Sequence, residues 1–379
     1  MSAPGGRYRD LGVRPVINVT GTLTRLGGSL MPPVVLEAMT EAAGTFVDFY
    51  ELQDRVGARV AELTGNEAGY VAAGAAAGVT LAVAACMAGT DPERIAAFPH
   101  LKGMDRTEVI IHRSQRNGYD YSARQTGAAM VEVAGTKESL IAAISQRTAA
   151  ILWFAGTPFA KDALTIEQVV EIARPRRVPV LVDAAGQIPP LATLWRFTRE
   201  VGADAVIVSG GKGLRGPQAS GLVLGRREII DGCRANGNPY HGIGRPMKVG
   251  KEEMLGLLAA VEWSLEQDEV ALIAGYEATV AGWVAGLAGI PGIVAERGFP
   301  SIAGEPHPRA IVRIDPSFHR TRDEVVKLLY SRDPRIAVGT VGDDALALNP
   351  QTIEPGEDRL VLEGLRDVLL HRVVASPRA

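Results

Sequence analysis

The sequence predicts an α/β fold in which a mostly parallel central sheet carries helices on both faces, followed by a small C-terminal α+β domain. Two observations predict it. Short, continuously apolar runs alternate with helical patterns through the middle of the chain, which is typical of strands buried on both faces. Beyond about residue 285 the pattern changes to single strands that alternate with single helices. At 379 residues the chain is longer than chains that usually fold around a single hydrophobic core, so a large and a smaller domain are expected.

The strands of the large domain are predicted from apolar runs rich in Val, Ile and Leu. These runs are 109–111, 130–133, 150–154, 178–183, 205–209 and 220–224. Helical patterns lie between them at 137–146 and 165–173. A longer amphipathic stretch at 251–272 has apolar residues at helical spacing and is expected to connect the large domain to the small one.

The small domain is predicted from two strands and two helices that follow in turn. They are 310–314, 322–330, 346–348 and 357–368. We therefore divide the chain into three parts. A segment at 1–50 is expected to pack on the active site, residues 51–265 form the large α/β domain, and residues 266–379 form the connector and the small domain.

Composition and charge argue against several classes of protein. The net charge of −3 gives no general attraction for nucleic acid or for an anionic membrane. Cys86 and Cys233 have no metal-binding spacing, so neither a disulfide framework nor a metal site is expected. Residues 1–10 lack the apolar core of a signal peptide, and the tract 71–89 is interpreted as a buried helix. We expect a cytoplasmic protein that binds a small molecule and neither nucleic acid nor membrane.

An aspartate and a lysine follow two consecutive apolar strands. Asp183 ends the run 178–183, and Lys212 lies in a Gly-Gly-Lys-Gly turn just past 205–209. Ligands of open α/β sheets bind at strand ends, so this spacing can direct a carboxylate and an amine at one small molecule. Pyridoxal phosphate needs both groups, a lysine for its Schiff base and an acid beside its pyridine nitrogen. The alternative is structural: an aspartate that caps the next helix and a solvated lysine in a mobile turn.

Small residues mark a second candidate element, for a phosphate. Gly74, Ala75 and Ala76 lead from a strand-like segment into a helix, and Ser209 lies three residues before Lys212. Backbone N–H groups at a helix start, together with the helix dipole, favour a phosphate dianion. Tight packing of a helix on a sheet is the alternative explanation for such small residues.

Two flat side chains and several cations complete the candidate residues. His112 and Tyr119 follow the strand 109–111 and are candidates for stacking on a pyridine ring, with a polar surface loop as the alternative. The cations are candidates for binding an anionic substrate, although surface charge is the default explanation for most of them. They are Arg215 in the Gly- and Pro-rich loop after Lys212, the cluster Arg245, Lys248 and Lys251, and Arg313, for which a solvated face is favoured.

Three segments together resemble the selenocysteine synthase-like branch of the fold-type I pyridoxal phosphate enzymes. They are 182–190 (VDAAGQIPP), 208–218 (VSGGKGLRGPQ) and 244–253 (GRPMKVGKEE). Within that branch they are most similar to the D-glucosaminate-6-phosphate ammonia-lyase (D-glucosaminate dehydratase-like) group. The resemblance covers roughly 7–265, and the C-terminal third contributes little to it.

The resemblance implies a role for each candidate residue. Lys212 would form the Schiff base, and Asp183 would pair with the pyridine nitrogen. Gly74, Ala75, Ala76 and Ser209 would hold the phosphate. His112 and Gln187 are further candidates for binding the cofactor, although the resemblance matches neither His112 nor Tyr119 to a ring-stacking position. Sites in this fold type usually form between two subunits, so a homodimer or larger homo-oligomer is expected. The cations Arg215, Arg245, Lys248 and Lys251 are then candidates for binding substrate, the last three in the neighbour's pocket.

The reaction implied by the resemblance is an α,β-elimination on a β-hydroxy amino acid. Ammonia is released with loss of water and a 2-oxo acid is formed, a sugar amino acid being one candidate substrate. Selenium or sulfur transfer, aldolase, racemase and aminotransferase chemistry start from the same adduct and stay open. Transfer to an aminoacyl-tRNA is disfavoured because the chain is acidic overall. A non-catalytic scaffold with this fold is the alternative from a different class of protein.

Overall fold

The computed structural model describes residues 6–370, which form two compact units, each with its own sheet. The strands are β1 (Val16–Val19), β2 (Ala68–Ala72), β3 (Glu108–His112), β4 (Ala129–Val133), β5 (Thr148–Phe154), β6 (Val180–Asp183), β7 (Ala205–Ser209), β8 (Gly221–Gly225), β9 (Ile293–Gly298), β10 (Arg309–Ile314), β11 (Arg335–Val341) and β12 (Ala345–Leu348). The α-helices are α1 (Gly6–Asp10), α2 (Pro33–Ala43), α3 (Phe49–Thr64), α4 (Ala75–Ala88), α5 (Pro92–Ala96), α6 (Tyr121–Arg124), α7 (Lys137–Ala143), α8 (Thr157–Ala160), α9 (Ile166–Ala173), α10 (Arg227–Asn236), α11 (Lys251–Leu265), α12 (Glu269–Leu287), α13 (Arg322–Ser331) and α14 (Glu357–Leu370).

The large unit contains residues 29–267 and 302–305 and is built on a seven-stranded sheet of order β2-β8-β7-β6-β5-β3-β4. The five strands from β7 to β4 pair in parallel, which confirms the predicted α/β class with a mostly parallel sheet. Strand β8 runs antiparallel to both β7 and β2. The reason is the connection: β7 returns through a short loop without a crossover helix, and such a loop joins antiparallel neighbours.

Helices cover both faces of this sheet and bury it. Helix α4 is made of small and aliphatic residues and packs on one face with α10, among Leu181, Ile207 and Val223. Helices α3, α9 and α11 contribute to the core on the other face, among Val180, Val182 and Val206. Most of α4 is buried, which confirms its interpretation as a core helix.

The small unit contains a five-stranded sheet of order β1-β11-β12-β10-β9 and comprises residues 6–28, 268–301 and 306–370 of the described chain. Strand β1 pairs in parallel with β11, from Val16 opposite Arg335 to Val19 opposite Val338. Arg9 adds an ion pair of 3.0 Å with Asp333. Backbone pairing of β1 thus accompanies the assignment of residues 6–28 to the small unit, whereas the sequence predicted a separate segment at 1–50.

Several boundaries differ from the predicted ones for identifiable reasons. The predicted helix 251–272 is two helices, because the side chain of Asp268 accepts a hydrogen bond from the N–H of Ala271 and caps the start of α12. Strands β9 and β11 were not predicted, whereas β10, α13, β12 and α14 lie at the predicted places.

Within the described residues, one helix, α12, is long and apolar enough to cross a membrane by length and composition alone. One such helix is weak support for a membrane span. Its residues Val280, Trp283 and Leu287 are buried in the core of the small unit. No cluster of three or more metal-ligating side chains occurs among residues 6–370.

Candidate active site

Backbone register brings the predicted residues to one edge of the large sheet. Asp183 is the last residue of β6 and pairs with Ile207 of β7. Ser209 ends β7 and lies opposite Gly221, the first residue of β8. Gly221 also lies opposite Ala72, which ends β2 just before α4 begins. This edge contains the carboxyl ends of the parallel strands, where open α/β sheets bind ligands.

Strand parity also puts two of these side chains on the same face. Successive side chains of a strand point to opposite faces of a sheet. Leu181 and Ile207 pack in the core formed with α4, so Asp183 and Ser209, two residues further along their strands, face the same side. Asp183, Ser209 and the start of α4 therefore converge.

Asp183 is a buried carboxylate with a shifted ionisation. Its Oδ1 accepts a hydrogen bond of 3.0 Å from the N–H of Ala185. Burial raises the pKa of Asp183 to about 6, while the Ala185 N–H and the positive charge of Lys212 act in the opposite direction. A Cβ at Gly186, three residues after Asp183, would lie 3.6 Å from Lys212 Nζ, so the amine lies beside the loop that follows the carboxylate. A cation beside this carboxylate would stabilise its charged form further.

Lys212 lies in a loop held by backbone hydrogen bonds. The N–H of Gly210 donates to Ser220 O at 2.9 Å, and the N–H of Arg215 donates to Lys212 O at 2.9 Å. Gly213 packs so closely on the carbonyl of Ile188 that a side chain there would collide with it. The glycines around the lysine are therefore required by close packing, and the loop is more than the mobile turn considered as an alternative.

Ser29 is a second support of this loop that sequence reasoning missed. Its Oγ donates to Lys212 O at 2.7 Å, and its N–H donates to Gly211 O at 3.1 Å. The two segments are separated by 183 residues along the chain, so no local pattern could have indicated the contact.

The start of α4 has the geometry of a phosphate cradle. Gly74 precedes the helix with φ of 110°, no side chain caps the first N–H groups, and the space beside Gly74 is open. A Cβ at Gly221 would lie 2.6 Å from Gly74 C and 2.7 Å from Ala75 N, so the cradle requires glycine on its floor. Uncapped N–H groups at the start of a 14-residue helix suit a dianion.

The residues at this edge fit pyridoxal phosphate. Gly74, Ala75, Ala76 and Ser209 offer donors for the phosphate, Lys212 offers a primary amine, and Asp183 offers a buried acid whose pKa is shifted. These are the three kinds of group that the cofactor requires.

The structure contradicts the placement of His112 in this site. His112 shares its face of the sheet with Ile110, in the core opposite to the one that contains Leu181. Its Nε2 accepts a hydrogen bond of 3.4 Å from the N–H of Leu164, and the ring is fully buried. Burial lowers the pKa of His112, so the ring stays neutral. Tyr119, the other stacking candidate, is exposed, and the stacking residue stays open.

Gln187 connects the site to a segment from the C-terminal third of the chain. Its Nε2 donates to Ala303 O at 2.8 Å, and Ala303 belongs to the short stretch 302–305 that is part of the large unit. A Cβ added at Gly186 would lie 3.6 Å from Lys212 Nζ and 3.8 Å from Ala303 Cβ. Gly186 and Ala303 therefore lie beside the amine, although the sequence indicated no contribution from this region.

Two of the predicted substrate cations have structural partners in the large unit. Arg215 Nε donates to Leu30 O at 2.7 Å, and its guanidinium lies over the ring of Trp263 at 5.8 Å. Lys251 Nζ donates to the carbonyl of Ala42 and forms an ion pair of 2.7 Å with Glu252. Arg215 therefore helps to hold the loop 210–220, and Lys251 helps to hold the end of α2. The sequence did not predict these structural roles.

The other cations are exposed. Arg245 Nη1 donates to Asn238 Oδ1 at 3.2 Å, and Lys248 is exposed on the same loop. Their role toward a substrate stays a prediction. Arg313, in the small unit, forms ion pairs with Glu296 and Asp344, as favoured for a solvated face.

Comparisons with known proteins agree with this geometry. Residues 16–272 match the family model of SelA, L-seryl-tRNA selenium transferase. The 5'-C-glycyluridine monooxygenase-decarboxylase of Streptomyces sp is 33% identical over 382 residues, which covers 96% of this chain and 92% of that protein. The D-glucosaminate-6-phosphate ammonia lyase of Salmonella typhimurium is 32% identical over 383 residues, with 96% and 98% covered.

Solved structures extend the comparison to the whole fold. The structure of a D-glucosaminate-6-phosphate ammonia-lyase matches with a TM-score of 0.84 and 31% identity, covering 97% of this chain and 99% of that one. A serine palmitoyltransferase variant from S. paucimobilis, solved with a bound PLP-myriocin aldimine, has a TM-score of 0.59 at 14% identity and shows the fold alone, with 94% and 87% covered.

The fold and the site together define an enzyme of the pyridoxal phosphate-dependent class, fold type I. The chain belongs to the SelA family, and it is similar over almost its whole length to an ammonia lyase of that group. Both the predicted fold and the predicted family are thereby confirmed.

Proposed function

We propose that this chain is a pyridoxal phosphate-dependent lyase that converts a β-hydroxy amino acid to a 2-oxo acid and ammonia. The observation that carries the proposal is the approach of a buried Asp183 to Lys212 beside an uncapped helix start. The similarity to a D-glucosaminate-6-phosphate ammonia lyase over 96% of the chain supports a hydroxylated, acidic substrate.

When bound, pyridoxal phosphate supplies an electron sink for the α-carbon of the substrate. The N–H groups at Ala75 and Ala76 and the hydroxyl of Ser209 hold its phosphate, and Asp183 keeps its pyridine nitrogen protonated, since a nearby anion favours the charged form. Lys212 Nζ then works as a base and an acid at one atom. It removes the α-proton as a base. It then donates a proton to the β-hydroxyl, which leaves as water.

The overall balance is simple. The substrate loses water across its α- and β-carbons, and the resulting enamine takes up water again as its C–N bond is hydrolysed. A 2-oxo acid and ammonia are the net products, with no oxidant or reductant consumed. Gly186 and Ala303 are small residues beside Nζ, and the size of the residues at these two positions would limit what a substrate can present there.

Replacing the lysine tests the proposal. Lys212→Ala should lose the visible absorbance of protein-bound pyridoxal phosphate and all ammonia release from D- and L-serine, D- and L-threonine, D-glucosaminate and D-glucosaminate 6-phosphate. Lys137→Ala removes an exposed lysine paired with Glu171 and should retain both properties. Ammonia release by Lys212→Ala would overturn the proposal.

A second candidate function is favoured by one specific similarity. The monooxygenase-decarboxylase of Streptomyces sp is 33% identical over almost the whole chain. That kind of activity uses O₂ and releases CO₂, whereas an elimination does neither. Ammonia release under nitrogen gas supports the lyase, and O₂-dependent CO₂ release from 5'-C-glycyluridine would assign the second function instead.

We further propose a cytoplasmic homodimer or larger homo-oligomer that binds neither nucleic acid nor membrane. The moderate net charge supports the expectation that the protein does not bind nucleic acid. Arg245 and Lys248 would then be available to a neighbour's pocket, as exposed cations of the loop before α11. Sedimentation of the enzyme loaded with cofactor tests the assembly, and a monomer at working concentration would contradict it.

A further inference from the structure

A second cleft, of about 660 Å³, opens at the amino ends of the parallel strands, whereas Lys212 lies at their carboxyl ends. It is formed where β6 and β7 begin, at Val180 and Asp204, and where α4 ends, at Gly89. All of its lining residues belong to the large unit. Its volume lies within the range of sites that hold small-molecule ligands.

The lining of this cleft has an excess of positive charge. Its charged side chains are Asp204, Glu228 and four arginines, Arg106, Arg174, Arg177 and Arg226. Arg226 Nη1 forms an ion pair of 2.9 Å with Asp204 Oδ1, and the other oxygen of that carboxylate accepts from the N–H of Val180 at 2.8 Å. Asp204 is thus already neutralised.

The other three arginines form no ion pair within the described chain. Within residues 6–370, no carboxylate oxygen lies within ion-pairing distance of Arg106, Arg174 or Arg177. Glu228 also lines the cleft, so four arginines against two carboxylates leave an excess of two positive charges. Burial raises the pKa of the Cys86 thiol, which therefore adds no negative charge. All three arginines are exposed, so an anion from solvent can reach them, and an anion bound between them would reduce the repulsion of their like charges.

The backbone around the cleft is shaped to present these side chains. Gly202 has φ of 88°, and a Cβ there would collide with the guanidinium of Arg174. Arg177 follows the 3₁₀ turn Arg174–Arg176 with φ of 53°, a conformation that L-residues rarely adopt and glycine adopts freely. Both residues also end a helical turn, Gly202 after Arg196–Val201 and Arg177 after Arg174–Arg176, and these turns set the backbone from which Arg174 and Arg177 extend at the cleft.

We propose that this cleft is a binding site for a small polyanion that carries two or more phosphate or carboxylate groups. Planar guanidinium groups bind both kinds of oxyanion in a bidentate manner, and three of them around one cavity match a ligand with several anionic groups. The site lies at the opposite edge of the sheet from Lys212, so it can be filled together with the cofactor.

Titration calorimetry on the enzyme saturated with pyridoxal phosphate, at low salt, tests the proposal with pyrophosphate and with citrate as probes. The saturated active site cannot then take up the probe through the cofactor's phosphate cradle. Arg177→Gly with Arg106→Gln should weaken binding of the preferred probe by about tenfold or more, since charge-assisted hydrogen bonds are lost. Glycine at 177 suits the observed φ, so this variant should fold.

Arg55→Gln is the matched control, because Arg55 is an exposed arginine of α3 that does not line the cleft, and it should bind like the wild type. Tighter binding of pyrophosphate than of citrate assigns a phosphorylated ligand, and the reverse assigns a polycarboxylate. Absence of binding by the wild type, or equal binding by all variants, overturns the proposal. A change of sedimenting mass in the double variant overturns it too, because the arginines would then serve a contact between subunits.

Discussion

The side-chain amide of Gln187 donates a hydrogen bond of 2.8 Å to the carbonyl oxygen of Ala303, 116 residues further along the chain. Gly156, with φ of 117°, lies under the same carbonyl, and a Cβ there would be 2.6 Å from it. The bond holds the stretch 302–305 beside the loop that follows Asp183. A segment from the last fifth of the chain thereby reaches the amine of Lys212.

The side chain at 303 should therefore limit the size of the substrate. Ala303→Val adds two methyl groups near Lys212 Nζ. We expect KM for threonine to rise about tenfold or more while KM for serine changes less, because a misplaced methyl group in a packed site costs ~1–3 kcal/mol. Steady-state ammonia release with both substrates measures this. Ala271→Val, on the exposed side of α12, is the control. An equal rise for both substrates would contradict the prediction.

Ser29→Ala should impair catalysis more than stability. The hydroxyl donates to Lys212 O at 2.7 Å, so its loss removes one hydrogen bond, worth about 1 kcal/mol, and loosens the loop that positions the amine. We expect kcat to fall about tenfold, with KM little changed. Ser331→Ala removes a hydroxyl that donates to Leu328 O at the same 2.7 Å and should cost similar stability without affecting kcat. Equal kcat values for Ser29→Ala and Ser331→Ala would contradict this prediction.

Gly74→Ala should weaken cofactor binding. Gly74 has φ of 110°, so a side chain there costs roughly 1–2 kcal/mol of strain, and relaxation of the backbone would turn the first N–H groups of α4 away from the phosphate. Equilibrium titration with pyridoxal phosphate should show a higher Kd. Gly275→Ala, in the middle of α12 with open space around it, should instead stabilise the protein by up to about 1 kcal/mol and leave Kd unchanged. An unchanged Kd in Gly74→Ala would count against the cradle.

Asp183 should make the stability of the cofactor-free protein depend on pH. Its pKa of about 6 in the folded state lies above the ordinary 3.8, so the folded state binds the proton more tightly. The free energy of unfolding should then fall as pH rises from about 4 to about 6 and level off above, by about 3 kcal/mol at most.

Asp183→Asn should remove that slope and leave the cofactor-free protein more stable than the wild type at about pH 7 to 8. Urea unfolding at a series of pH values measures both curves. Asp105→Asn, at an exposed position, should keep the wild-type slope. The same variant Asp183→Asn should also gain less stability from added pyridoxal phosphate, since the pyridinium loses its anionic partner. Parallel curves for wild type and Asp183→Asn would refute the electrostatic assignment.

Local sequence was sufficient to predict strands β3 to β8 of the large sheet and the places of Asp183 and Lys212 at the ends of β6 and β7. The runs that end at Asp183 and Ser209 are apolar enough to be buried on both sides, and chemistry at strand ends follows from the topology of parallel sheets. His112 was placed wrongly because strand parity fixes only that it shares a face with Ile110. Which face α4 covers depends on packing between distant elements.

The sequence by itself determined the α/β class and the family, because apolar periodicity and short-range motifs act over a few residues, and the same motifs predict that Asp183 and Lys212 act together. Only the tertiary structure decided that Ser29 and Ala303 reach the lysine, that β1 pairs in the small sheet, and that three arginines without an ion pair in the described chain line a second cleft. The physical reason is that hydrogen bonds and charge repulsion depend on distance in space, and chain separation carries no information about that distance until the sheets have formed.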